Sequence, residues 1–318
     1  TKQAYLSSEV AVSRSRVPQT LSREMTISGR GLHGNQPCEV RLVPVDQPTG
    51  LTFVHMISGV EIPVRAAHVG DIRLATTLVK DGVRLQTIEH LLSALMGLEV
   101  EHLRIEVKGV GLDIELPILD GSAAPWVEAI LRAGVQGLDG SRRFIKITQP
   151  VEVKQGEKWI RVSPFEGFRV RYTIDFPIPA LGRQSRELSL TPEKYRREVG
   201  QARTFCLEQE IEYMRSKGLA LGGSLDNAVV YGADGPLNDG LRYEDEAVRH
   251  KMLDLVGDLA LLGAPLMGLV EVHAGGHALH VALCQAILSD VRAWAWVEAE
   301  EPAPRAKAFF QPLQPAFA

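Results

Sequence analysis

Three polar residues of one helical pattern have the spacing that a shared metal ion needs. His250, Asp254 and Asp258 follow one another at intervals of four residues, so they would lie along one face of a helix. A histidine and an aspartate one turn apart can both bind a single divalent cation. The same stripe is also typical of a solvated helix face, and two ligands do not make a site.

The dipeptide Glu89-His90 supplies a candidate third ligand. Catalytic zinc usually has three nitrogen or oxygen ligands and one open position for water, so His90 could complete the set. A carboxylate next to a ligand, such as Glu89, can act on that water. Taken alone, His90 is more typical of a surface or partly buried histidine, and Glu89 of a residue that complements a helix dipole.

Two glycine pairs add weaker signals. His277 follows Gly275 and Gly276 just after a predicted strand, so it sits on a tight connection where its side chain can point into a cleft. A lone histidine there could equally cap the next helix. Residues 222–224, Gly-Gly-Ser, predict a turn first and a phosphate-binding loop only second.

These residues depend on helices that the apolar pattern predicts. One helix is expected over residues 87–96, with Thr87 as its N-cap. Another starts after Ser122 and runs to Gly134. The longest pattern covers residues 243–262, and its apolar stripe at spacings of three and four consists of Val248, Met252, Leu255, Leu259 and Leu262.

Short alternating patterns between these helices predict β-strands. Helices interleaved with hairpin-like strands favour an α+β fold in layers rather than one parallel sheet. A break at residues 137–143 is the best boundary between two domains, a number that 318 residues allow. The predicted strands are residues 39–45, 103–107, 145–153, 159–162, 169–174 and 266–272.

Composition excludes several classes of protein. The chain has 35 Lys and Arg against 39 Asp and Glu, a net charge of −4, so no nucleic-acid partner is expected. Cys38, Cys206 and Cys284 are widely spaced, which predicts unpaired thiols.

The first residues lack the apolar core of a signal peptide, and the longest apolar stretch, residues 259–270, falls short of the ~20 residues that span a bilayer. We therefore expect a cytoplasmic protein without stable membrane insertion.

Seven segments carry a family resemblance. The chain resembles the zinc-dependent UDP-3-O-acyl-N-acetylglucosamine deacetylases of lipid A biosynthesis over nearly everything from residue 29 to residue 288. Seven matches in the right order cannot plausibly be chance. The segments are GRGLHG (29–34), TIEHLLSALMGL (87–98), ELPILDGSAAPWV (115–127), ARTF (202–205), IEYMRSKGLALGGSLDNAVV (211–230), LRYEDEAVRHKMLDLVGDL (241–259) and GGHAL (275–279).

The resemblance implies an α+β fold of two similar domains. Each would be a helix layer on a β-sheet layer, with the helix layers facing each other across the active site and a small β-containing insert in each domain. Residues 17–140 would form the first domain and residues 141–300 the second, with an acyl-passage insert near residues 211–230. Residues 1–16 and 301–318 would be an N-terminal extension and a C-terminal tail, and neither matches a motif of the family.

The resemblance also implies a ligand set and a base. Matched position by position, the zinc ligands fall on His90, His250 and Asp254, and iron(II) could fill the same ligands. Glu89 would be the general base that takes a proton from zinc-bound water as it attacks the acetyl carbonyl.

Four further polar residues receive roles from the resemblance. Thr204 and His277 would stabilise the tetrahedral oxyanion together with zinc, and a protonated His277 could give its proton to the leaving nitrogen. Asp258 would orient His277 and favour its charged form. Lys251 would be a cation near the nucleotide sugar.

The insert resembles the segment that forms a hydrophobic passage for the substrate's acyl chain. Phe205 would stack near the sugar or the nucleobase. An ordinary small core under a loop would equally explain Leu219, Leu221 and Leu225. The candidate lining residues of the passage are Ile211, Leu225 and Val230.

The resulting prediction is a monomeric amide hydrolase. It would remove the N-acetyl group of a UDP-3-O-acyl-N-acetylglucosamine and release acetate, in lipid A biosynthesis. One alternative is a metal-dependent deacetylase of another N-acetylated sugar, because the metal and acid–base residues do not specify the acyl chain. A catalytically inactive binding protein is the other, and the presence of the whole catalytic set argues against it.

Overall fold

Nineteen β-strands and six α-helices make up residues 15–299, the part of the chain that the computed structural model describes. The predicted tail, residues 301–318, and residues 1–14 of the predicted extension lie outside the described residues. The first ten strands are β1 (Gln19–Leu21), β2 (Met25–Arg30), β3 (Pro37–Val43), β4 (Leu51–His55), β5 (Glu61–Pro63), β6 (Thr77–Lys80), β7 (Val83–Gln86), β8 (Leu103–Lys108), β9 (Asp113–Glu115) and β10 (Val135–Gly137). The others are β11 (Arg143–Ile147), β12 (Val151–Gln155), β13 (Lys158–Ser163), β14 (Phe168–Asp175), β15 (Arg183–Ser189), β16 (Phe205–Leu207), β17 (Val229–Tyr231), β18 (Leu266–His273) and β19 (Trp294–Glu298). The helices are α1 (Glu89–Gly97), α2 (Ala124–Ala133), α3 (Pro192–Glu198), α4 (Glu208–Ser216), α5 (Glu246–Asp258) and α6 (His277–Ser289).

Two larger sheets flank the helices. One has five strands in the order β2-β3-β8-β4-β5, of which only β4 and β8 run parallel. The other has seven strands, with the path β12-β13-β18-β11-β19, and β14 and β15 extend it from β18. Smaller sheets are β1-β10, β6-β7-β9 and β16-β17. This combination of helices with mixed, mostly antiparallel sheets confirms the predicted α+β class.

Helices α1 and α5 pack against each other at the centre of the fold. Both are buried on nearly every face, so packing rather than an amphipathic pattern holds them. Gly257 makes the approach possible, because a Cβ atom at this position would lie 2.1 Å from the Glu89 carbonyl oxygen. Ser93 adds a hydrogen bond of 2.7 Å to the Leu253 carbonyl oxygen. The first turn of α1 is therefore fixed against the last two turns of α5.

The helix predictions hold with changes at the ends. The helix after Ser122 is α2, which ends at Gly134 with a positive φ of 77°. The pattern over 243–262 is α5 followed by one 3-10 turn at Leu259–Leu262. Thr87 is not the N-cap of α1, because Ile88 occupies that position. Thr87 instead has a φ of 56° and donates its hydroxyl to Glu115 Oε1 at 3.3 Å.

Most predicted strands are present, with shifted bounds. The single strand expected over 145–153 is wrong, since β11 and β12 are separate strands with different partners. β11 pairs with β18 and β19, whereas β12 pairs with β13. A local signal for the turn was present, because Thr148, Gln149 and Pro150 interrupt the apolar alternation and proline is rare inside a strand.

All three cysteines are unpaired, as the spacing predicted. Cys38 and Cys284 are buried and Cys206 is half-buried. Among the described helices, none combines the length and apolar character that crossing a bilayer requires.

Candidate metal centre and acid–base pair

His90 of α1 meets His250 and Asp254 of α5 in the centre of the fold. The three candidate ligand atoms lie within 4.8 Å of one another. Asp254 Oδ1 is 3.2 Å from His250 Nε2 and 3.6 Å from His90 Nε2. All three side chains are buried, so the alternative of a solvated helix face is wrong.

The contacts of the three side chains would suit metal ligands. His250 donates its Nδ1–H to the Ala202 carbonyl oxygen at 2.9 Å, which directs Nε2 toward Asp254. Asp254 Oδ1 is buried and has no hydrogen bond of acceptable geometry. Burial opposes ionisation of Asp254, but the neighbouring His250 imidazole outweighs it and holds the carboxyl pKa well below its usual range. A buried anionic oxygen between two imidazoles fits a divalent cation of the zinc or iron(II) type.

Glu89 lies beside this ligand set with one free carboxylate oxygen. Its Oε2 accepts a hydrogen bond from the Thr76 backbone N–H at 3.1 Å. Its Oε1 faces His277 Nε2 at 3.6 Å. Burial raises the pKa of Glu89, although the charges of His277 and His90 oppose this. A carboxylate whose proton affinity is increased in this way is suited to act as a general base.

The surroundings of His277 favour its protonated form. It is the first residue of α6, after Gly276, and its ring makes no capping bond to the helix, so the capping alternative is wrong. Its Nδ1 lies 2.6 Å from Asp258 Oδ2. Burial would lower the pKa of His277, but the charge of Asp258 and this hydrogen bond raise it to about 10. The imidazole is therefore charged at neutral pH, with Nε2–H directed toward Glu89.

A cavity of about 230 Å³ opens above these side chains. Thr204, Phe205 and Lys251 line it together with Glu89 and the three candidate ligands. Lys251 Nζ lies 3.7 Å from Asp254 Oδ2 and 5.8 Å from the centre of the Phe205 ring. The polar residues that the sequence singled out for chemistry thus share one cavity, except Asp258, which contacts His277 but is not part of the cavity wall.

A second cavity of about 630 Å³ adjoins the first, and we call it the apolar cavity because most of its wall is apolar, although charged residues of α4 also line it. Ile211, Leu225 and Val230 line it, as expected for the passage. Both cavities share Leu32, His33, Leu74, Thr204 and Phe205 in their walls. Leu221 and Leu225 are 51% and 46% exposed, which argues against a closed local core.

Comparison with known proteins agrees with this geometry. Residues 18–289 match the family model described as LpxC: UDP-3-O-acyl N-acetylglycosamine deacetylase. The chain belongs to this family. A UDP-3-O-acyl-N-acetylglucosamine deacetylase of Anaeromyxobacter dehalogenans (strain 2CP-C) is 43% identical over 294 residues, which are 91% of this chain and 94% of that protein. A protein of the same name from Anaeromyxobacter sp. (strain Fw109-5) is 43% identical over 273 residues, 86% of this chain and 88% of the relative.

The structure of this LpxC family member also contains contacts that the sequence analysis missed. Thr76 donates its hydroxyl to Asp258 Oδ1 at 2.5 Å and lies 3.1 Å from His277 Nδ1. His280 contacts Asp258 Oδ2 through Nδ1 at 2.8 Å. His280 could have been found from its spacing, because it lies three residues after His277 on the same helix face. Thr76 carries no local signal, since its partner is 182 positions away in the chain.

The Gly-Gly-Ser segment is a turn and not a phosphate-binding loop in this LpxC family member. A Cβ atom on Gly222 would lie 2.4 Å from the Gly31 carbonyl oxygen, so glycine permits close backbone contact there. The Ser224 backbone N–H donates to Asn227 Oδ1 at 3.0 Å and is not available to an anion. The phosphate alternative is therefore wrong at this turn.

Proposed function

We propose that the chain hydrolyses the N-acetyl amide of a UDP-3-O-acyl-N-acetylglucosamine and releases acetate, a step of lipid A biosynthesis. One observation carries the proposal. Three candidate metal ligands lie beside a carboxylate and an imidazole whose proton affinities are both raised, in a cavity that adjoins an apolar one. Membership of the LpxC family and the names of the relatives point to the same reaction.

His90, His250 and Asp254 are the residues that would hold the metal, which we take to be zinc, with iron(II) as the alternative. When bound, a divalent metal polarises the acetyl carbonyl and makes water more acidic. The Ala202 carbonyl oxygen would orient His250 for this role, and all three ligand side chains are buried.

Glu89 and His277 would divide the proton transfers between them. As water forms a C–O bond to the acetyl carbon, Glu89 Oε1 takes one of its protons. As the C–N bond breaks, His277 Nε2 gives a proton to the glucosamine nitrogen, which leaves as an amine. Glu89 then holds one extra proton and His277 lacks one. Net transfer of one proton from Glu89 Oε1 to His277 Nε2, two atoms 3.6 Å apart, restores both groups.

The remaining cavity residues would bind the substrate. Thr204 would donate its hydroxyl to the developing oxyanion, and Asp258 keeps His277 charged and oriented. Lys251 would contact the nucleotide sugar by its charge, and Phe205 by its ring. The acyl chain would occupy the apolar cavity between Ile211, Leu225 and Val230, where each buried methylene contributes about 0.8 kcal/mol.

The proposal also covers the domain organisation, the oligomeric state and the cellular location of the protein. The two larger sheets would belong to two similar domains whose helix layers face each other, with α1 and α5 at their boundary. The protein would be a cytoplasmic monomer. Cell fractionation and light scattering test the last two points.

Metal removal and substrate comparison test the function. We expect dialysis against a chelator to abolish acetate release from UDP-3-O-acyl-N-acetylglucosamine and stoichiometric zinc to restore it. A panel of N-acetylated sugars, with and without UDP and the 3-O-acyl chain, separates this enzyme from a deacetylase of another sugar. Full activity in the metal-free protein would exclude the proposal, and binding of the substrate without acetate release would favour an inactive binding protein.

A further inference from the structure

Two buried residues that the proposed reaction does not use surround the far side of Asp258. His280 lies on α6 one turn after His277, and Tyr172 lies on β14. Both are fully buried. His280 Nδ1 is 2.8 Å from Asp258 Oδ2, and His280 Nε2 is 2.9 Å from the Tyr172 hydroxyl. The contacts form one continuous chain from Tyr172 through His280 and Asp258 to His277.

The direction of each hydrogen bond in this chain follows from the protonation states. Asp258 is ionised, since the charge of His277 and the hydrogen bonds from His277 and His280 outweigh burial and lower its pKa, so its oxygens only accept. Burial lowers the pKa of His280 more than Asp258 raises it, so this imidazole is neutral. Its Nδ1–H must donate to Asp258, which leaves Nε2 as an acceptor. Burial raises the pKa of Tyr172 well above its usual value, so its hydroxyl keeps the proton that Nε2 accepts.

The contacts around Asp258 also limit how its carboxylate can turn. Oδ1 accepts from Thr76, and Oδ2 accepts from both imidazoles, whose rings are nearly perpendicular at 85°. The last torsion of an aspartate is soft, so one or two hydrogen bonds would leave it free to rotate. Thr76 Oγ1 lies 3.1 Å from His277 Nδ1, so a rotated carboxylate would leave this hydroxyl as a competing partner for the ring. His280 adds the donor that prevents this rotation.

We propose that His280 is a positioning residue of the reaction. Its Nδ1–H holds Asp258 Oδ2 against His277 Nδ1 and so keeps His277 Nε2 directed at Glu89, while Tyr172 sets the tautomer of His280 that makes this donation possible. The expected effect of His280 on turnover rests on the proposed function. Its expected effect on the orientation of His277 rests on the contacts alone.

Two substitutions of His280 distinguish a role in positioning Asp258 from a role in packing. His280→Asn retains an N–H donor at the place of Nδ1, whereas His280→Leu fills similar volume without any donor. Both leave the Tyr172 hydroxyl without its partner, so they form a matched pair. We expect His280→Leu to lower kcat on the order of 10-fold with KM little changed, and His280→Asn to retain most of the activity.

A spectroscopic measurement makes the test independent of the substrate. The measured quantity is the chemical shift of the His277 Nδ1–H resonance in zinc-loaded protein with ¹⁵N-labelled histidine. In His280→Asn this shift should indicate the same strong hydrogen bond to Asp258 as in wild type, and in His280→Leu it should indicate that the bond is lost. Tyr172→Phe should give an intermediate result, and it carries the comparison if His280→Leu does not fold. Equal kcat and equal spectra in wild type and His280→Leu would overturn the proposal, as would equal impairment of both His280 variants. Wild-type protein that releases no acetate from the UDP-sugar would exclude the proposed function, while the NMR comparison would still decide the role of His280.

Discussion

The residues that would perform hydrolysis and the residues that would bind the acyl chain are held in different ways. Glu89, Asp254 and Asp258 are buried between packed helices, and hydrogen bonds or ion pairs fix their carboxylates. The apolar cavity is walled partly by α4, in which no residue is fully buried, and by Leu225, which is 46% exposed. Substitutions at the reacting centre should therefore abolish activity or folding, whereas substitutions in the cavity wall should change which chain is accepted.

The largest effect should come from the base. Glu89→Gln keeps an acceptor for the Thr76 backbone N–H but cannot take a proton. We expect turnover to fall roughly 10²–10⁴-fold with zinc content unchanged, which steady-state kinetics and metal analysis measure. Glu193→Gln, at an exposed position of α3, is the control and should behave as wild type. Normal turnover in Glu89→Gln would remove Glu89 from the mechanism.

The contact between α1 and α5 should be almost as sensitive. In Gly257→Ala the new Cβ atom would lie 2.1 Å from the Glu89 carbonyl oxygen, so the helices must separate and Glu89 and His90 must move from α5. A displacement near 1 Å costs about 10²-fold in rate, and overpacking costs about 1–3 kcal/mol of stability. Kinetics, zinc affinity and thermal unfolding measure the two effects.

Gly240→Ala is the matched control for this contact. Its Cβ atom would meet nothing within 4 Å, so the same chemical change should be neutral there. Wild-type rate and zinc affinity in Gly257→Ala would show that the close approach of α1 and α5 does not position the site.

Local periodicity in the sequence predicted one part of the candidate metal centre. The spacing of four residues placed His250 and Asp254 on one helix face, and the apolar stripe predicted α5. The burial of that face and the contact with Thr76 depend on partners far away in the chain. The residues next to each position in the sequence do not indicate which distant residues it will contact. The usual number of zinc ligands suggested His90 as a partner of α5, and the family resemblance supplied the position-by-position match.

Loss of the charge on Asp258 should shift the pH dependence of the reaction. Folding raises the pKa of His277 from 6.5 to about 10, so its stabilising effect is complete below pH 6.5 and is lost as the pH rises through 10. Activity that needs the imidazolium should decline over the same basic range. In Asp258→Asn the opposite charge is gone, and the basic limb of kcat/KM should move down by about 1–3 pH units. An unchanged basic limb would mean that His277 is not the acid.

The smallest effect should come from the wall of the apolar cavity. Leu225→Ala removes part of a half-exposed side chain, so it should cost at most about 1 kcal/mol of acyl-chain contact, or roughly fivefold in KM, with kcat and stability unchanged. The loss should appear only with substrates whose acyl chain reaches Leu225, so a short-chain substrate is the internal control. Equal KM changes for short and long chains would mean that Leu225 does not contact the acyl group. A fall in kcat would contradict the separation between a rigid reacting centre and a tolerant cavity wall.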